Sequence, residues 1–252
     1  MRAFGKIIVT VTMLTIAFTA LSACSANSAD GYRLDNIRIY QNTPAWKLAK
    51  AVKNEVTGTI AKIAKENPVL LDYQDPVYGT TLLCWAVGME KYNSAEALLK
   101  AGANPDIIST YVGGTALYLA AGYSYVDTDF DSDPKYVKLL LEYGADPEIG
   151  FVGNDHNNAT EIGETPLMMS IGCGLEKTKA LVEAGADINA KTKTQTTAAI
   201  KALLRGSGNM SPSEREYAYY LIVEKRQMYH SLTKGSTYIQ LLTMTRMICF
   251  IQ

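Results

Sequence analysis

Histidine is almost missing from this chain of 252 residues, with only His156 and His230 present. Neither has a Cys or a carboxylate nearby at a metal-ligand spacing, which removes the common zinc arrangements. Cysteine is scarce as well, at four. No Gly-x-Ser-x-Gly, P-loop or dinucleotide fingerprint occurs, so the usual markers of hydrolases and nucleotide-binding enzymes are absent. Charge of neither sign is in excess: 24 Lys and Arg against 25 Asp and Glu leave a net −1, with a pI near 6.2. A basic stripe, the footprint of a nucleic-acid binder, is lacking. The low net charge also argues against a polybasic membrane patch. What remains, 48% hydrophobic and 19% charged, is an ordinary globular composition for one or two domains.

The start of the chain reads as an export leader. Arg2 and Lys6 form a basic n-region, and residues 7–20 form an apolar h-region of secretory type. Leu21-Ser22-Ala23-Cys24 then resembles the lipobox of bacterial lipoproteins. Small side chains at 22 and 23 fit a narrow protease site, and a thiolate is the nucleophile that can take a diacylglyceryl group. The resemblance implies cleavage before Cys24 and lipid on its sulfur and amine. Two or more acyl chains anchor stably, at about 0.8 kcal/mol per buried methylene. Ser25 stands where an Asp would favour inner-membrane retention, so the expectation is a bacterial envelope protein of the outer membrane. Residues 1–23 are thus expected to be a signal peptide, and 24–42 a lipidated N-terminus and flexible tether.

What the chain has in quantity is repetition. Thr81-Leu82-Leu83-Cys84-Trp85-Ala86 and Thr115-Ala116-Leu117-Tyr118-Leu119-Ala120 share their order with Thr165-Pro166-Leu167, and Thr197-Ala198-Ala199-Ile200-Lys201-Ala202 is a weaker copy. A closing signature recurs as Gly102-Ala103-Asn104, Gly144-Ala145-Asp146 and Gly185-Ala186-Asp187. The unit is about 33 residues long, the period of ankyrin repeats with their Thr-Pro-Leu-His-x-Ala opening. Over residues 43–227 the chain resembles that family, although Cys84, Tyr118 and Met168 stand where the family has His. The resemblance implies an all-α, ankyrin-type helical solenoid of about five helix-turn-helix repeats with β-hairpin fingers. Gly102, Gly144 and Gly185 then end helices at positions that need φ > 0.

The units are not uniform. Thr43 to Asp72 reads as a degenerate first repeat, with Pro44 at a first-turn position and Lys47, Lys50, Lys53, Lys62 and Lys65 on an outer capping face expected to be solvated and not a binding patch. The third unit carries an acidic insert at 124–133 and a Gly/Asn-rich finger extension near 150–158. Cys84 falls on a first helix and Cys173 in the Gly172-Cys173-Gly174 turn, more than two repeats away. A disulfide needs Cα atoms within about 7 Å, so Cys84 is expected to be a small buried hydrophobe and Cys173 a turn residue. The fifth unit begins at Thr197, breaks at 206–212 and resumes as a helix over 213–225. Residues 228–252 carry no repeat pattern. The codons for Gln227-Met228-Tyr229-His230-Ser231-Leu232, read one base out of phase, can spell Ala-Asp-Val-Ser-Gln-Pro, the missing repeat ending, so the tail reads as frameshifted.

Such a solenoid works through a pre-formed surface and needs no titratable site. The expected function is a non-enzymatic, lipid-anchored envelope module, monomeric and without cofactor or nucleic acid. It would bind another protein on the concave face made by finger tips and first helices. Aromatic anchors serve such surfaces, and Tyr outnumbers Phe by 16 to 5. Tyr73, Tyr78, Tyr111, Phe151 and His156, near the expected fingers, are the candidate contacts. Two alternatives are an immunity protein that blocks a toxin or enzyme and a calcium-dependent envelope structural protein. The calcium reading rests on Asp127, Asp129 and Asp131. An EF-hand loop counted from Asp127 needs Gly at position six and Glu at twelve, where Ser132 and Lys138 stand. Asp133 reads instead as the cap of a helix beginning at Pro134. Isothermal titration with calcium is expected to give no heat and no shift in melting temperature; a saturable signal would restore the calcium reading.

Overall fold

Four threonines set the phase of the fold. A helix start leaves its first N–H groups without intrahelical partners, and a Thr hydroxyl just ahead of the helix can accept from one of them. Thr81, Thr115, Thr165 and Thr197 each accept from the N–H three residues on, those of Cys84, Tyr118, Met168 and Ile200, at 3.2–3.4 Å. Pro166 follows Thr165 at the first helical position, where its missing N–H costs nothing.

The computed structural model describes residues 33–122, 124–126, 133–153, 160–205 and 212–224. Cys24 with the leader, the acidic-insert residues Asp127, Asp129 and Asp131, His156, and the tail 228–252 lie outside the described residues. Among the described residues there are ten α-helices, arranged as five successive pairs. They are α1 (Trp46–Lys53) with α2 (Thr57–Glu66), α3 (Leu82–Gly88) with α4 (Tyr92–Lys100), and α5 (Ala116–Gly122) with α6 (Lys135–Glu142). Next come α7 (Pro166–Ser170) with α8 (Leu175–Glu183), then α9 (Ala198–Arg205) with α10 (Pro212–Tyr219), which runs on as a π-helix to Glu224. Each helix packs on its pair mate and on its counterpart in the next unit, so α1, α3, α5, α7 and α9 form one layer and α2, α4, α6, α8 and α10 the other. The core lies between the layers and between the units. Leu48, Leu82, Leu98, Leu117, Leu140 and Leu181 are all fully buried there, a contribution of roughly 2 kcal/mol apiece.

Two polar features fix how one unit sits on the next. The first runs along the ends of the second helices. Asp72 accepts from the N–H of Asn104 at 2.8 Å, Asp106 from that of Asp146 at 2.8 Å, and Glu148 from that of Asp187 at 2.7 Å. Within each unit the side chains of Asn104, Asp146 and Asp187 accept from the N–H two residues on. The Asn/Asp of the closing signature therefore caps its own turn while its backbone binds the preceding unit. The second feature is the row of fingers, whose loops join by backbone bonds described below. No strand forms among the described residues; the first two fingers are closed by single antiparallel bridges, Gln74 with Thr81 and Ser109 with Gly114.

The packed structure begins earlier than the sequence suggested. Leu34, Ile37, Ile39 and Tyr40 are buried, in a segment containing a short 3-10 helix, Ile37–Tyr40, that packs on α1. Its Leu34 carbonyl accepts from Trp85 Nε1 at 3.0 Å, and Tyr40 reaches Thr80. From Leu34 onward the region expected to be a tether is part of the fold, because these apolar side chains cover faces of the first two units that no preceding repeat covers. The second helix of the third unit begins at Lys135, with Pro134 in the cap position, one residue later than expected; the Asp133 carboxylate, just ahead of Pro134, still accepts from the Lys135 N–H at 2.9 Å. Burial pushes Asp133 up, but the Lys135 side chain and backbone outweigh that and hold it below the usual carboxylate value.

Gly102, Gly144 and Gly185 sit at φ of 97°, 82° and 96°, as the closing signature requires. A Cβ at any of the three would meet nothing within 4 Å, so the constraint is backbone strain and not space. Gly144→Ala is therefore expected to cost about 1–2 kcal/mol, measured by urea unfolding, with no loss of helical content.

Candidate interaction surface

Each finger must reverse the chain without leaving buried N–H groups bare. In the first finger Asp75 accomplishes this. Its carboxylate accepts from the N–H groups of Val77 at 3.0 Å, Tyr78 at 2.8 Å and Thr80 at 2.8 Å, and its own N–H donates to the Thr80 carbonyl at 3.0 Å. Asp followed by Pro76 and Gly79 is turn chemistry legible in the sequence, although the repeat pattern alone did not single it out. Asp75 is only 2% exposed. Burial raises its pKa, opposed by the three N–H groups that favour the carboxylate.

A small polar cluster surrounds this carboxylate. Tyr40 Oη donates to the Thr80 carbonyl at 2.7 Å, and the Thr80 and Ser109 hydroxyls lie 2.6 Å apart. The Cys84 thiol is pushed up to about 12 by burial, against hydrogen bonds from Thr80 and Tyr125. Tyr40 is raised well above its ordinary value by burial first, then by Asp75, Cys84 and Tyr73. A thiol held protonated is a poor nucleophile, so the cluster braces the finger. Cys173 lies in the turn between α7 and α8, where its N–H donates to the Ser170 carbonyl at 2.9 Å and φ is positive at Gly172 and Gly174. Among the described residues no three His, Cys, Asp or Glu side chains are grouped to hold a metal ion.

Successive fingers are joined at their tips. The Tyr111 N–H donates to the Tyr78 carbonyl at 2.9 Å, Val152 to Gly113 at 2.8 Å, and Lys193 to Ile162 at 3.0 Å. Gln74 adds a side-chain link from finger one to the Ile108 carbonyl at 2.9 Å. The third finger is tied further to the fourth finger and to the fifth unit. Glu164 pairs with Lys201 of α9, and Glu161 accepts from the Thr192 and Thr194 hydroxyls, which hold its carboxyl below the usual range.

The candidate aromatics separate into three groups. Tyr78 and Tyr111 come together edge to face, ring centroids 5.1 Å apart at 90°, both half-buried on adjacent fingers. Val77, next to Tyr78 in the chain, and Val152 and Ile162 of the third finger are exposed, at 43%, 53% and 50%. Tyr73 is half-buried against the core beside Tyr40, at the base of the first finger and not at its tip. Phe151 departs from expectation: it is 2% exposed and stacks on Tyr118 at 5.9 Å. Its ring fills the space a Cβ on Gly113 would take, so it anchors one finger to the next and is not a surface contact. His156 lies outside the described residues.

The first-helix layer is also less open than expected. Every residue of α3 and α5 is buried. Tyr125 lies over α3, its N–H donating to the Gly88 carbonyl at 2.8 Å and its ring occupying the space beside that glycine. Among the described residues of the central units, the exposed large apolar side chains are Val77, Val152 and Ile162 on the fingers and Val126 beyond α5.

The ankyrin repeat family model matches residues 78–110, a stretch that runs from the tip of finger one through α3 and α4 into finger two. The comparison with curated proteins gave no match. With the stacked helix pairs, this match defines the fold as an all-α, ankyrin-type solenoid. Ankyrin repeats generally mediate protein–protein interaction and are typically non-catalytic.

Asp75→Ala is expected to cost roughly 2–4 kcal/mol, since three N–H groups at the finger lose their acceptor. The sign of the pH dependence follows from the raised folded pKa. The Asp75 contribution to stability is greatest below the ordinary 3.8 and is lost as pH rises through the folded value. Urea unfolding across a pH series should show that falling component in the native chain and not in the variant.

Proposed function

We infer that the chain is a non-enzymatic interaction module that binds another protein along its row of fingers. The observation that carries this reading is the half-buried Tyr78–Tyr111 pair, together with exposed Val77, Val152 and Ile162, on fingers locked together by backbone hydrogen bonds. Tyrosine supplies a large, amphipathic contact at low entropic cost, and such residues dominate binding energy when water is excluded around them. A ridge already rigid before binding loses little further freedom on association. The inner faces of the central first helices are covered by the chain itself, so the finger tips take over the contact role that the concave face was expected to share.

The N-terminal pattern supports a place for this module in the bacterial envelope, held by lipid on Cys24 and on the outer membrane. Among the described residues no helix is long and apolar enough to cross a membrane. A monomer fits a surface offered to a different protein.

Crosslinking pull-down of the full-length protein from its own membranes tests the reading. The native chain should recover a protein partner, and Tyr78→Ala with Tyr111→Ala should reduce recovery at least tenfold. Phe151→Ala is expected instead to destabilise the fold by about 3–5 kcal/mol, read by urea unfolding. Recovery of lipid alone, with no protein above background, would overturn the binding function.

A further inference from the structure

The near-zero net charge conceals a strong local imbalance. Between Arg33 and Glu66 stand Arg33, Arg38, Lys47, Lys50, Lys53, Lys62 and Lys65 against only Asp35, Glu55 and Glu66. Two of those carboxylates are turned elsewhere: Asp35 lies 3.7 Å from Arg33, and Glu55 accepts from the Asn93 N–H at 3.1 Å in the next unit. The five lysines are all exposed, and none forms an ion pair with a described residue.

Their placement follows the helix period. On α1, Lys47, Lys50 and Lys53 recur at every third position, one stripe opposite the buried Leu48, Ala49 and Val52. On α2, Lys62 and Lys65 occupy the exposed side opposite Ile60, Ile63 and Ala64. Among the described helix pairs the first packs on one other pair, α3 and α4, and the 3-10 helix Ile37–Tyr40 packs on its α1, while the lysine stripes stay exposed. Apolar groups accompany the charges. Val56 and Val69, beyond the two ends of α2, are 47% and 78% exposed, and Trp46 is half-buried with the Lys50 ammonium 5.4 Å above its ring. Exposed lysines and valines in and beside one helix pair, with an amphipathic indole under one ammonium, suit a bilayer surface, where the ammoniums meet anionic headgroups and the apolar groups enter the boundary.

The chain beyond the described residues points the same way. Arg33 lies nine positions after Cys24, so a fully extended connection reaches about 30 Å at most. Any anchor at Cys24 keeps the first unit within that distance of the membrane.

We propose that the lysine face of α1 and α2 docks on the anionic phospholipid headgroups of the bilayer that holds the chain. The solenoid is thereby oriented with its first unit on the membrane and its fingers offered to a partner. This rests on the envelope reading for the location, and on charge and exposure for the face.

The test follows amide deuterium uptake in the full-length protein on phosphatidylcholine vesicles and on vesicles that also contain phosphatidylglycerol. Uptake over residues 46–66 should slow by about tenfold on the anionic vesicles and recover in high salt as the charges are screened. A Lys47→Glu, Lys50→Glu, Lys62→Glu, Lys65→Glu variant should lose that slowing. The Lys62→Glu, Lys65→Glu pair alone, which leaves the Lys50–Trp46 contact intact, should weaken it while keeping the native melting temperature. Equal uptake on both vesicle types, or slowing that survives charge reversal, would overturn the proposal. The mass of the purified chain reports lipid on Cys24 separately. An unmodified Cys24 with headgroup-dependent slowing would remove the anchor and keep the face; a lipidated Cys24 without slowing would remove the face alone.

Discussion

A helix pair of this size has apolar surface on both flanks and cannot bury it alone, so everything in the molecule depends on contact between neighbouring units. Leu82, Leu98, Leu117 and Leu140 are fully buried only because the next pair covers them. The same constraint accounts for the ends. At the start, Leu34, Ile37, Ile39 and Tyr40 take the place of a missing unit and bring the Leu34 carbonyl to Trp85. At the far end, Tyr217 of α10 reaches back to accept from the Gly174 N–H at 2.7 Å.

Apolar contact sets distance but not register; polar groups set register. One line of them runs from Asp72 to Asp187 through carboxylates that each accept from the next unit's backbone. The other runs along the fingers through Tyr78, Gly113 and Ile162 carbonyls. Each bond contributes modestly, about 1 kcal/mol net, yet together they leave neighbouring units little freedom to slide. A surface spread over three fingers is useful for recognition only under that condition, because its parts must hold their spacing before a partner arrives.

The two ends of the chain's charge distribution carry different duties. The first unit gathers lysines that form no ion pair with a described residue, while carboxylates of the later units such as Asp106, Asp146 and Glu148 are engaged in caps and unit-to-unit bonds. A whole-chain balance of −1 averages these away. Electrostatics in a linear array is better described unit by unit, since charges more than about 10 Å apart are largely screened from one another.

Period, cap and close were written locally, and so the sequence by itself determined the repeat architecture. A Thr before a helix accepts from N–H groups three residues on, and a Gly after one adopts φ > 0; neither needs distant residues, and Thr81, Thr165 and Gly144 behave as their neighbours dictate. Burial is not local, and it decided the rest. Phe151 and Tyr111 are both aromatics near finger tips, yet one stacks on Tyr118 inside and the other stands against Tyr78 outside, because finger three lies across Gly113. Asp75, which no repeat signature marks, is a buried carboxylate braced by backbone N–H groups. Leu34 to Tyr40 followed a polar stretch and resembled the continuation of a tether; only the uncovered flank of the first two units turned it into core. Whether a side chain meets water depends on which unit stacks above it, a fact of tertiary structure that no local pattern records.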